Sequence, residues 1–297
     1  MPARRMVMIV NPRGGTRRGP RVLDSVKPAF ESAGIALDVR ETTRAGHARE
    51  LAATLDLEGC DGLCLIGGDG TIHEVVNGVM QRPEPSTTPL GFIPGGTGND
   101  VPRHFECRDP EEAVRRIIAG SARPVDVMRV TMGEEVRHCI NIVGWGATVD
   151  INRTAERLRY LGPPRYTIAA LSHILRAKRR QAEIVLDGET LTGSFLLAAA
   201  CNTRFTGRGM DLAPQAAADD GKVDVVLVRR ASRMQMLTLL NRTYDGSHVA
   251  MPCVECRQVR SLTITSTKPE RLMLDGELKG TSPVSVDVLP GALRVLV

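Results

Sequence analysis

The sequence is poor in aromatic residues: one Trp, three Tyr and five Phe make up 3% of its 297 residues. Proteins that hold single-stranded nucleic acid usually stack the bases on aromatic side chains. We therefore expect no nucleic-acid partner. The formal net charge of +5 and the pI of about 9.0 still favour an anionic partner, which leaves a nucleotide or anionic membrane lipid.

Long hydrophobic runs are also absent. The longest apolar run, Phe195–Cys201, has seven residues, whereas a transmembrane helix needs about 20. The run Met6–Val10 behind Arg4 and Arg5 is too short for a signal peptide. We expect a cytoplasmic protein that can still visit the inner membrane surface at its periphery.

Cysteine follows no metal-binding pattern. Seven cysteines are scattered along the chain, and only Cys253 and Cys256 stand at the two-apart spacing of a zinc site, without a second such pair. We expect reduced, mostly buried thiols. A Gly-x-Gly-x-x-Gly that opens a helix is missing too, so a dehydrogenase fits poorly.

The pattern changes near residue 124. Before it, strand-like runs alternate with helical segments near 20–33, 47–55 and after Asp109, which predicts a parallel sheet with helices on both faces. After it, short alternating segments predict an antiparallel β sandwich with helices near Tyr166–Arg180 and Met234–Tyr244. The expected strands of that part are Val125–Thr131, Val136–Val143, Glu183–Leu186, Ser194–Cys201, Val223–Val228, Ser261–Ser266 and Val284–Val288. We expect two domains, 1–124 and 125–289.

The most informative stretch is the glycine loop Gly67–Thr71, Gly-Gly-Asp-Gly-Thr, between an apolar run and an amphipathic helix. Glycines let a backbone approach a ligand, and a helix N-terminus favours an anion. Thr71 and Glu74 have the spacing of a capping box. Asp69 would repel a bare phosphate, which indicates a magnesium-linked or proton-accepting role beside a nucleotide.

Two further glycine loops follow strand-like runs. They are Asn11–Gly15 and Pro94–Asp100, the latter reading Pro-Gly-Gly-Thr-Gly-Asn-Asp. Loops at the carboxyl ends of parallel strands gather at one edge of the sheet, where ligands bind. Each loop alone is also compatible with a plain tight turn, but three in this order favour a binding site.

Together with Asp220-Gly221 and Asp275-Gly276-Glu277, these loops resemble the diacylglycerol kinase catalytic family, which includes sphingosine kinases and YegS-like lipid kinases. The resemblance runs along nearly the whole chain. It implies a Rossmann-like, three-layer α/β domain of the phosphofructokinase and NAD kinase type, followed by an all-β sandwich. It also implies that a last strand at 290–297 returns to the first domain.

By the same resemblance, the expected reaction is Mg²⁺-dependent transfer of the γ-phosphate of ATP to a lipid hydroxyl, in a cleft between the domains. The residues expected to contact the nucleotide lie in the three loops, in the helix after the first one, and at Thr42. They are Asn11, Thr42, Gly67, Gly68, Asp69, Gly70, Thr71, Ile72, His73, Glu74, Gly95, Gly96, Thr97 and Asn99. For His73 we favour a surface or phosphate-edge contact, and Asn11 is expected to hold loops together or to touch the nucleotide.

Acidic residues are expected to carry the chemistry. The resemblance makes Asp275 the favoured general base, with Glu277 and Asp69 as alternatives, although Asp-Gly by itself is the usual dipeptide of a hairpin turn. Asp69 and Asp100 are expected to work with Mg²⁺. Asn99-Asp100 could instead only cap the next short helix.

A second, structural magnesium is implied in the segment Ala213–Asp224. Its expected ligands are the side chain of Asp220 and the carbonyls of Ala217 and Lys222. A solvated hairpin remains the alternative. The segment around Asn141 resembles one that shapes the acceptor site in the family, with an ordinary strand end as the alternative.

Residues 153–180 contain eight Lys or Arg against the single acid Glu156, with Ile168, Leu171, Ile174 and Leu175 on one helical stripe. This segment either lies on an anionic membrane, where the lipid substrate resides, or is a docked helix with a solvated basic end. The acceptor lipid stays open, as does the oligomeric state, with a homodimer among the options.

Two other functions remain as alternatives. An NAD kinase or another small-molecule kinase would share the first glycine loop, and a non-catalytic regulator would bind nucleotide without transferring phosphate. The loop Gly96–Asp100 and the acidic Asp275-Gly276-Glu277 favour the lipid kinase over both.

Overall fold

A computed structural model describes residues 4–15, 17–84, 86–162, 164–174, 176 and 178–297. The chain divides into two compact units, residues 1–127 with 290–297 and residues 128–289. None of the helices in these described stretches is long and apolar enough to cross a bilayer.

The first unit is a parallel sheet covered by helices. Its strands are β1 (Arg4–Val10), β2 (Ile35–Glu41), β3 (Gly62–Gly67) and β4 (Leu90–Pro94). Its helices are α1 (Gly19–Ser32), α2 (His47–Thr54), α3 (Asp69–Val79), α4 (Asp100–His104) and α5 (Pro110–Ala119). The strands pair in the order β2-β1-β3-β4, all parallel.

The strands of this unit are buried on both faces, so they read as continuous apolar runs. Alternate β1 residues, Met6 and Met8, pack with Val26 and Phe30 of α1 and Ile117 of α5 in one core cluster. Side chains of a strand alternate between faces, so the intervening residues face the other helical layer, where α2 packs against α3. This is the expected three-layer α/β fold.

Helix boundaries follow local signals in this unit. The Asp109 side chain accepts a hydrogen bond from the Glu112 N–H at 2.9 Å and Pro110 occupies the first turn of α5, as the sequence predicts. The C-terminal residues belong to this unit as well, since Val295 pairs in parallel with Leu90.

The second unit contains the remaining elements. Its strands, with two that are shared with the first unit, are β5 (Ala122–Met132), β6 (Glu135–Cys139), β7 (Ile142–Gly146), β8 (Arg180–Leu186), β9 (Glu189–Phe195), β10 (Leu197–Cys201), β11 (Phe205–Thr206), β12 (Met210–Asp211), β13 (Val223–Val228), β14 (Val254–Val259), β15 (Ser261–Ser266), β16 (Arg271–Leu274), β17 (Glu277–Thr281) and β18 (Val284–Leu296). Its helices are α6 (Ala147–Arg157), α7 (Arg165–Ile174) and α8 (Arg233–Arg242), with 3-10 turns at Arg159–Leu161 and Ser247–Ala250.

Two antiparallel sheets form the sandwich of the second unit. One has the order β14-β13-β10-β7-β16-β17, and the other contains β15, β8, β9, β5, β6 and the start of β18. Trp145 and Phe195 lie fully buried in the core cluster between them, with side chains from both sheets around them. The predicted β sandwich is confirmed.

Several predicted elements of this unit are wrong in detail. The expected strand 136–143 is two strands, β6 and β7, and the expected strand 194–201 divides at Leu196 into β9 and β10. Helix α7 ends at Ile174, six residues before the predicted end, and Arg180 already starts β8. Leu175 of the predicted stripe lies outside the described residues.

Candidate active site

The three glycine loops of the first unit follow neighbouring strands at one edge of its sheet. Asn11, Gly68 and Gly95 stand directly after β1, β3 and β4. The Asn11 N–H donates to the Ile66 carbonyl at 3.0 Å, and the Gly95 N–H donates to the Gly67 carbonyl at 2.8 Å. The parallel sheet thus brings the predicted loops together.

We number the glycine loops Gly67–Thr71, Pro94–Asp100 and Asn11–Gly15 as the first, second and third. The backbones of the first and second loops are in contact. A Cβ placed on Gly96 would lie 2.4 Å from the Gly68 Cα, and a Cβ on Gly98 would lie 2.6 Å from the Asp69 Oδ2. Real Cβ contacts are essentially never this short, so a larger residue at Gly96 would have to move the neighbouring loop, and one at Gly98 would have to displace the Asp69 carboxylate. Gly96 and Gly98 are therefore required for the close approach of the two loops. This approach places the main chains of both loops side by side.

Asp69 is the first residue of α3 and links the same two loops. Its Oδ1 accepts the Val101 N–H, at the start of α4, at 3.1 Å. The N-cap of α3 is Gly68, which offers no side-chain cap, so the predicted capping box of Thr71 and Glu74 is wrong. An N-terminus that no side chain caps suits an anionic ligand.

Thr71 and Asn11 hold the first loop to the end of β1. The Asn11 Nδ2 donates to the Thr71 Oγ1 at 2.9 Å, and its Oδ1 accepts the Arg13 N–H at 3.1 Å. This is the loop-holding role that the sequence predicted as one option for Asn11. Ile72 is fully buried. His73 is buried as well, so the predicted surface contact of His73 is wrong.

Glu74 has a role that sequence reasoning missed. Its two carboxylate oxygens accept the N–H groups of Gly46 and Ala48, at 2.9 and 3.1 Å. These N–H groups belong to the N-terminus of α2, whose N-cap Gly46 has no capping side chain of its own. Glu74 therefore caps the neighbouring helix and holds the loop that begins at the buried Thr42.

The second loop is braced by Asn99. Its Oδ1 accepts the Gly96 N–H at 3.0 Å and its Nδ2 donates to the Gly96 carbonyl at 3.1 Å, with Asn99 in the left-handed region at a φ of 57°. Thr97 is exposed at the loop tip, and Gly15 of the third loop lies next to it. Asp100 begins α4 and is buried.

In the second unit, Asp275 and Gly276 form the two-residue turn between β16 and β17. Both have positive φ values, 48° and 88°, as a type I′ hairpin turn requires. The buried Asp275 carboxylate accepts three backbone N–H groups, from Ile140, Asn141 and Ile142, at 3.2, 2.9 and 3.0 Å. Its own N–H donates to the Ile142 carbonyl at 2.9 Å.

The same arrangement occurs once more, at the turn between β8 and β9. Asp187 and Gly188 have φ values of 46° and 90°. The Asp187 carboxylate accepts the N–H groups of Arg260 and Ser261, at the start of β15, and its own N–H donates to the Ser261 carbonyl. Asp187 is exposed whereas Asp275 is buried. The aspartate of such a turn thus fastens a hairpin to the start of another strand.

A buried polar network surrounds Asp275 where the ends of β7, β10 and β16 meet. The Asn141 Oδ1 accepts the Thr203 hydroxyl at 2.7 Å, the Asn202 Nδ2 donates to the Ile140 carbonyl at 2.9 Å, and the Asn152 Nδ2 donates to the Gly276 carbonyl. Asn152, Asn202 and Thr203 were missed from sequence. Asn202 and Thr203 directly follow a buried strand, which is the signal that could have found them.

Glu277 lies beside this network at the start of β17. It is half-buried, and its carboxylate pairs with the Lys279 ammonium at 2.7 Å. The structure thus places both predicted C-terminal acids at one end of the hairpin.

The predicted structural-metal loop lies between β12 and β13. Asp220 is exposed and its Oδ1 accepts the Lys222 N–H at 2.9 Å; Ala217 and Lys222 are half-buried in the same loop. Burial raises the pKa of the nearby Asp224 carboxyl, and the charge of Asp220 raises it further. The Asp220 carboxylate and the carbonyls of Ala217 and Lys222 are oxygen donors, the type of ligand that a hard cation such as Mg²⁺ prefers.

Two family descriptions match the chain. "Diacylglycerol kinase catalytic domain" matches residues 5–130, and "YegS C-terminal NAD kinase beta sandwich-like domain" matches residues 141–297. Diacylglycerol kinase from Mycobacterium tuberculosis is 31% identical over 85% of this chain and 82% of that protein. Sphingosine kinase 1 from Arabidopsis thaliana is 25% identical over 88% of this chain, which spans 64% of that protein.

Solved structures share the fold. A crystal structure of a diacylglycerol kinase from Bacillus anthracis superposes with a TM-score of 0.73 at 20% identity, covering 99% of this chain and 96% of that one. An NAD kinase from Archaeoglobus fulgidus in complex with ATP superposes with a TM-score of 0.52 at 13% identity, covering 99% and 93%. With the loops of the first unit and the sandwich of the second, these matches show that the chain belongs to the diacylglycerol kinase catalytic domain family with a YegS-type C-terminal β sandwich.

Proposed function

We propose that the protein is a lipid kinase that transfers the γ-phosphate of ATP to the hydroxyl group of a lipid. The observation that carries this proposal is the backbone contact of Gly68 with Gly96 beside the N-terminus of α3, which no side chain caps. Phosphoryl transfer depends on positioning and charge stabilisation, and such a surface suits the phosphates of a nucleotide. Membership of a family with diacylglycerol and sphingosine kinases among its members supports the lipid acceptor.

We assign the phosphate contacts to the N–H groups of Gly68 and Gly70. The first N–H groups of a helix have no partner within the helix. The N–H groups of Thr71 and Ile72 already bond to the Gly68 carbonyl. In the second loop, the N–H groups of Gly95 and Gly96 are likewise used within the protein. The glycines of the second loop therefore act by allowing the two loops to approach each other closely, and Thr97 supplies an exposed side chain.

Asp69 and Asp100 are the side chains that would hold Mg²⁺ next to the nucleotide. Mg²⁺ is usually held by one or two carboxylates together with substrate phosphates. Asp69 is half-buried at the start of α3, and its Oδ1 is held by the Val101 N–H, so its position is fixed relative to the second loop. Mg²⁺ bound there would supply charge neutralisation to the phosphates. The loop of Asp220, Ala217 and Lys222 would hold a second, structural ion.

In the proposed step, the lipid hydroxyl oxygen bonds to the γ-phosphorus, the bond from that phosphorus to the β–γ bridging oxygen breaks, and ADP leaves. The hydroxyl proton passes to a carboxylate of the protein. We keep Asp275 as the leading acceptor, with Glu277 and Asp69 as alternatives. The three N–H bonds of Asp275 fix its position, which a general base also requires.

The test is transfer of radiolabelled γ-phosphate from ATP, with Mg²⁺, to diacylglycerol or a sphingoid base in mixed micelles, and to NAD in parallel. We expect label in diacylglycerol, because bacterial relatives that match most of this chain are named diacylglycerol kinases. Label confined to NAD would establish a small-molecule kinase instead. Bound ATP without transfer to any acceptor would indicate a regulatory protein.

A further inference from the structure

Exposed large apolar side chains collect in two segments of the second unit. Among the described residues eight such side chains are exposed, and all but Val136 lie within 160–171 or 234–244. The seven are Tyr160, Leu161, Ile168, Leu171, Met234, Leu237 and Tyr244, and we call them the α7–α8 apolar face. Exposed apolar side chains are ordinary when scattered, but concentration in two segments marks a contact surface.

Helix α7 presents part of this face opposite its buried side. It buries Ala169, Ala170 and Ile174, while Ile168 and Leu171, three positions apart, are 41% and 42% exposed. The predicted apolar stripe is therefore split: Ile174 packs inward, whereas Ile168 and Leu171 face solvent. A helix with apolar residues on both sides can bury its outer side only against a second partner.

Helix α8 shows the same division more strongly, since none of its residues is buried. Met236 and Leu239 pack partly against a small core cluster, whereas Met234 and Leu237 are 71% and 39% exposed. Met234 and Leu237 are three residues apart and share the side opposite to that cluster. The helix thus rests on the unit by one side and leaves an apolar side uncovered.

The two helices form one layer. The Thr167 and Tyr244 hydroxyls are 3.2 Å apart, and α7 contacts α8. Their inner sides meet around a small cavity of about 40 Å³ that Ala170, Ile174 and Met236 line together. The exposed residues lie on the other sides of the helices, so one flat partner can contact both.

The positive charge of the chain is concentrated in and around the same two segments. Residues 153–180 and 229–244 contain twelve Lys or Arg and one acid, a net +11. The rest of the chain has 27 Lys or Arg and 33 Asp or Glu, a net −6, which together with +11 makes the chain's +5. The net positive charge of the chain therefore comes from this region.

Much of that charge is available to a partner. The single acid, Glu156, pairs with Arg165 at 3.5 Å, and Arg153, Lys178, Arg180 and Arg229 pair with acids outside the two segments. Six other arginines are exposed and form no ion pair within the described part of the chain. They are Arg157, Arg176, Arg179, Arg230, Arg233 and Arg242.

We infer that the α7–α8 apolar face and the arginines around it dock on an anionic lipid bilayer. Apolar side chains that enter the acyl boundary, with basic residues at the headgroups, are the features of interfacial binding. A second copy of the chain would bring two sets of these six arginines together, which their charges oppose. This inference goes beyond the proposed phosphoryl transfer, because docking can be measured without it.

The test is sedimentation of the full chain with large unilamellar vesicles of phosphatidylcholine alone or with 30 mol% phosphatidylglycerol. We expect binding to the anionic vesicles only, weakened by added salt. The variant Arg233→Gln/Arg242→Gln should bind roughly 25-fold more weakly, at about fivefold per basic residue. Met234→Ser/Leu237→Ser should bind at least about tenfold more weakly through lost apolar contact.

Matched controls keep these results specific. Arg21→Gln/Lys268→Gln removes the same charge at exposed positions elsewhere, and Val136→Ser removes the other exposed apolar side chain; both should bind like the wild type. Hydrogen exchange of the unmodified protein with anionic vesicles should show protection in residues 158–174 and 233–244. That measurement does not depend on the folding of any variant.

Three results would overturn the inference. They are equal binding to neutral vesicles, an equal loss of binding in the charge control, and the absence of protection in the two segments. A dimer in sedimentation velocity that Met234→Ser/Leu237→Ser dissociates would assign the face to a second copy. Binding to single-stranded RNA in preference to vesicles would assign it to nucleic acid.

Discussion

Replacement of Asp275 tests whether its carboxylate supports the second unit as well as the proposed chemistry. The side chain is 4% exposed and accepts N–H groups from Ile140, Asn141 and Ile142. In Asp275→Ala all three N–H groups lose that acceptor inside the protein. In Asp275→Asn the amide oxygen can keep two of the bonds, while the amide nitrogen faces the third donor.

The magnitude follows from the cost of unmade hydrogen bonds. A buried donor without a partner costs about 1–3 kcal/mol; the lower part of that range, about 1–2 kcal/mol for each of the three donors, gives a loss of roughly 3–6 kcal/mol for Asp275→Ala. At about 2–4 °C per kcal/mol for a unit of this size, its Tm should fall by roughly 6–24 °C. Asp275→Asn should lose about half as much, since it forfeits one bond and weakens two.

Asp187→Ala is the matched control, because Asp187 occupies the same kind of turn but is exposed. Water can replace the bonds to the Arg260 and Ser261 N–H groups, so the loss should be less than a third of that in Asp275→Ala. The assay is calorimetric or circular-dichroism melting at neutral pH, with nucleotide affinity and lipid phosphorylation measured below the melting range.

Two results would refute this reasoning. If Asp275→Ala had the same Tm as the wild type, the three hydrogen bonds would contribute nothing to stability, and the comparison with Asp187 would fail. If Asp275→Asn, folded and binding ATP within a few fold of wild type, still phosphorylated lipid at the wild-type rate, Asp275 would not be the base. Glu277→Gln and Asp69→Asn would then identify which alternative carboxylate accepts the proton.

Three further predictions concern single contacts. Gly96→Ala should weaken nucleotide binding at least about tenfold in a fluorescent-nucleotide titration, because the new Cβ would lie 2.4 Å from the Gly68 Cα; unchanged affinity would remove these loops from the nucleotide site. Glu74→Ala should lower the Tm by about 2–8 °C through loss of the α2 cap, with Glu74→Gln losing less; equal Tm values for all three proteins would contradict the capping role. Partial burial raises the pKa of the Asp187 carboxyl, but hydrogen bonds from Arg260 and Ser261 outweigh it, so that pKa lies below its usual value. A depressed folded pKa stabilises above the unfolded pKa, so urea unfolding at pH 6 and 3.5 should show the wild type losing more stability below about pH 4 than Asp187→Asn; equal losses would contradict it.

Local patterns in the sequence predict the α/β part of the fold and the location of its loops. Parallel strands buried on both faces are continuous apolar runs, and a helix such as α5 carries its own cap in Asp109 and Pro110. The glycine loops could be found because they follow those strands directly. Local signals were weaker in the sandwich, where β9 and β10 follow each other without a turn dipeptide and read as one strand.

The partner of each polar side chain, in contrast, depends on the tertiary fold. Glu74 caps a helix 28 residues away, and the Asp275 carboxylate binds N–H groups about 135 residues away, so no local pattern encodes either contact. The buried position of His73 and the uncovered side of α8 are likewise set by which elements pack against these helices. Local chemistry specifies which groups a residue can bind, but the fold decides which of them come within reach.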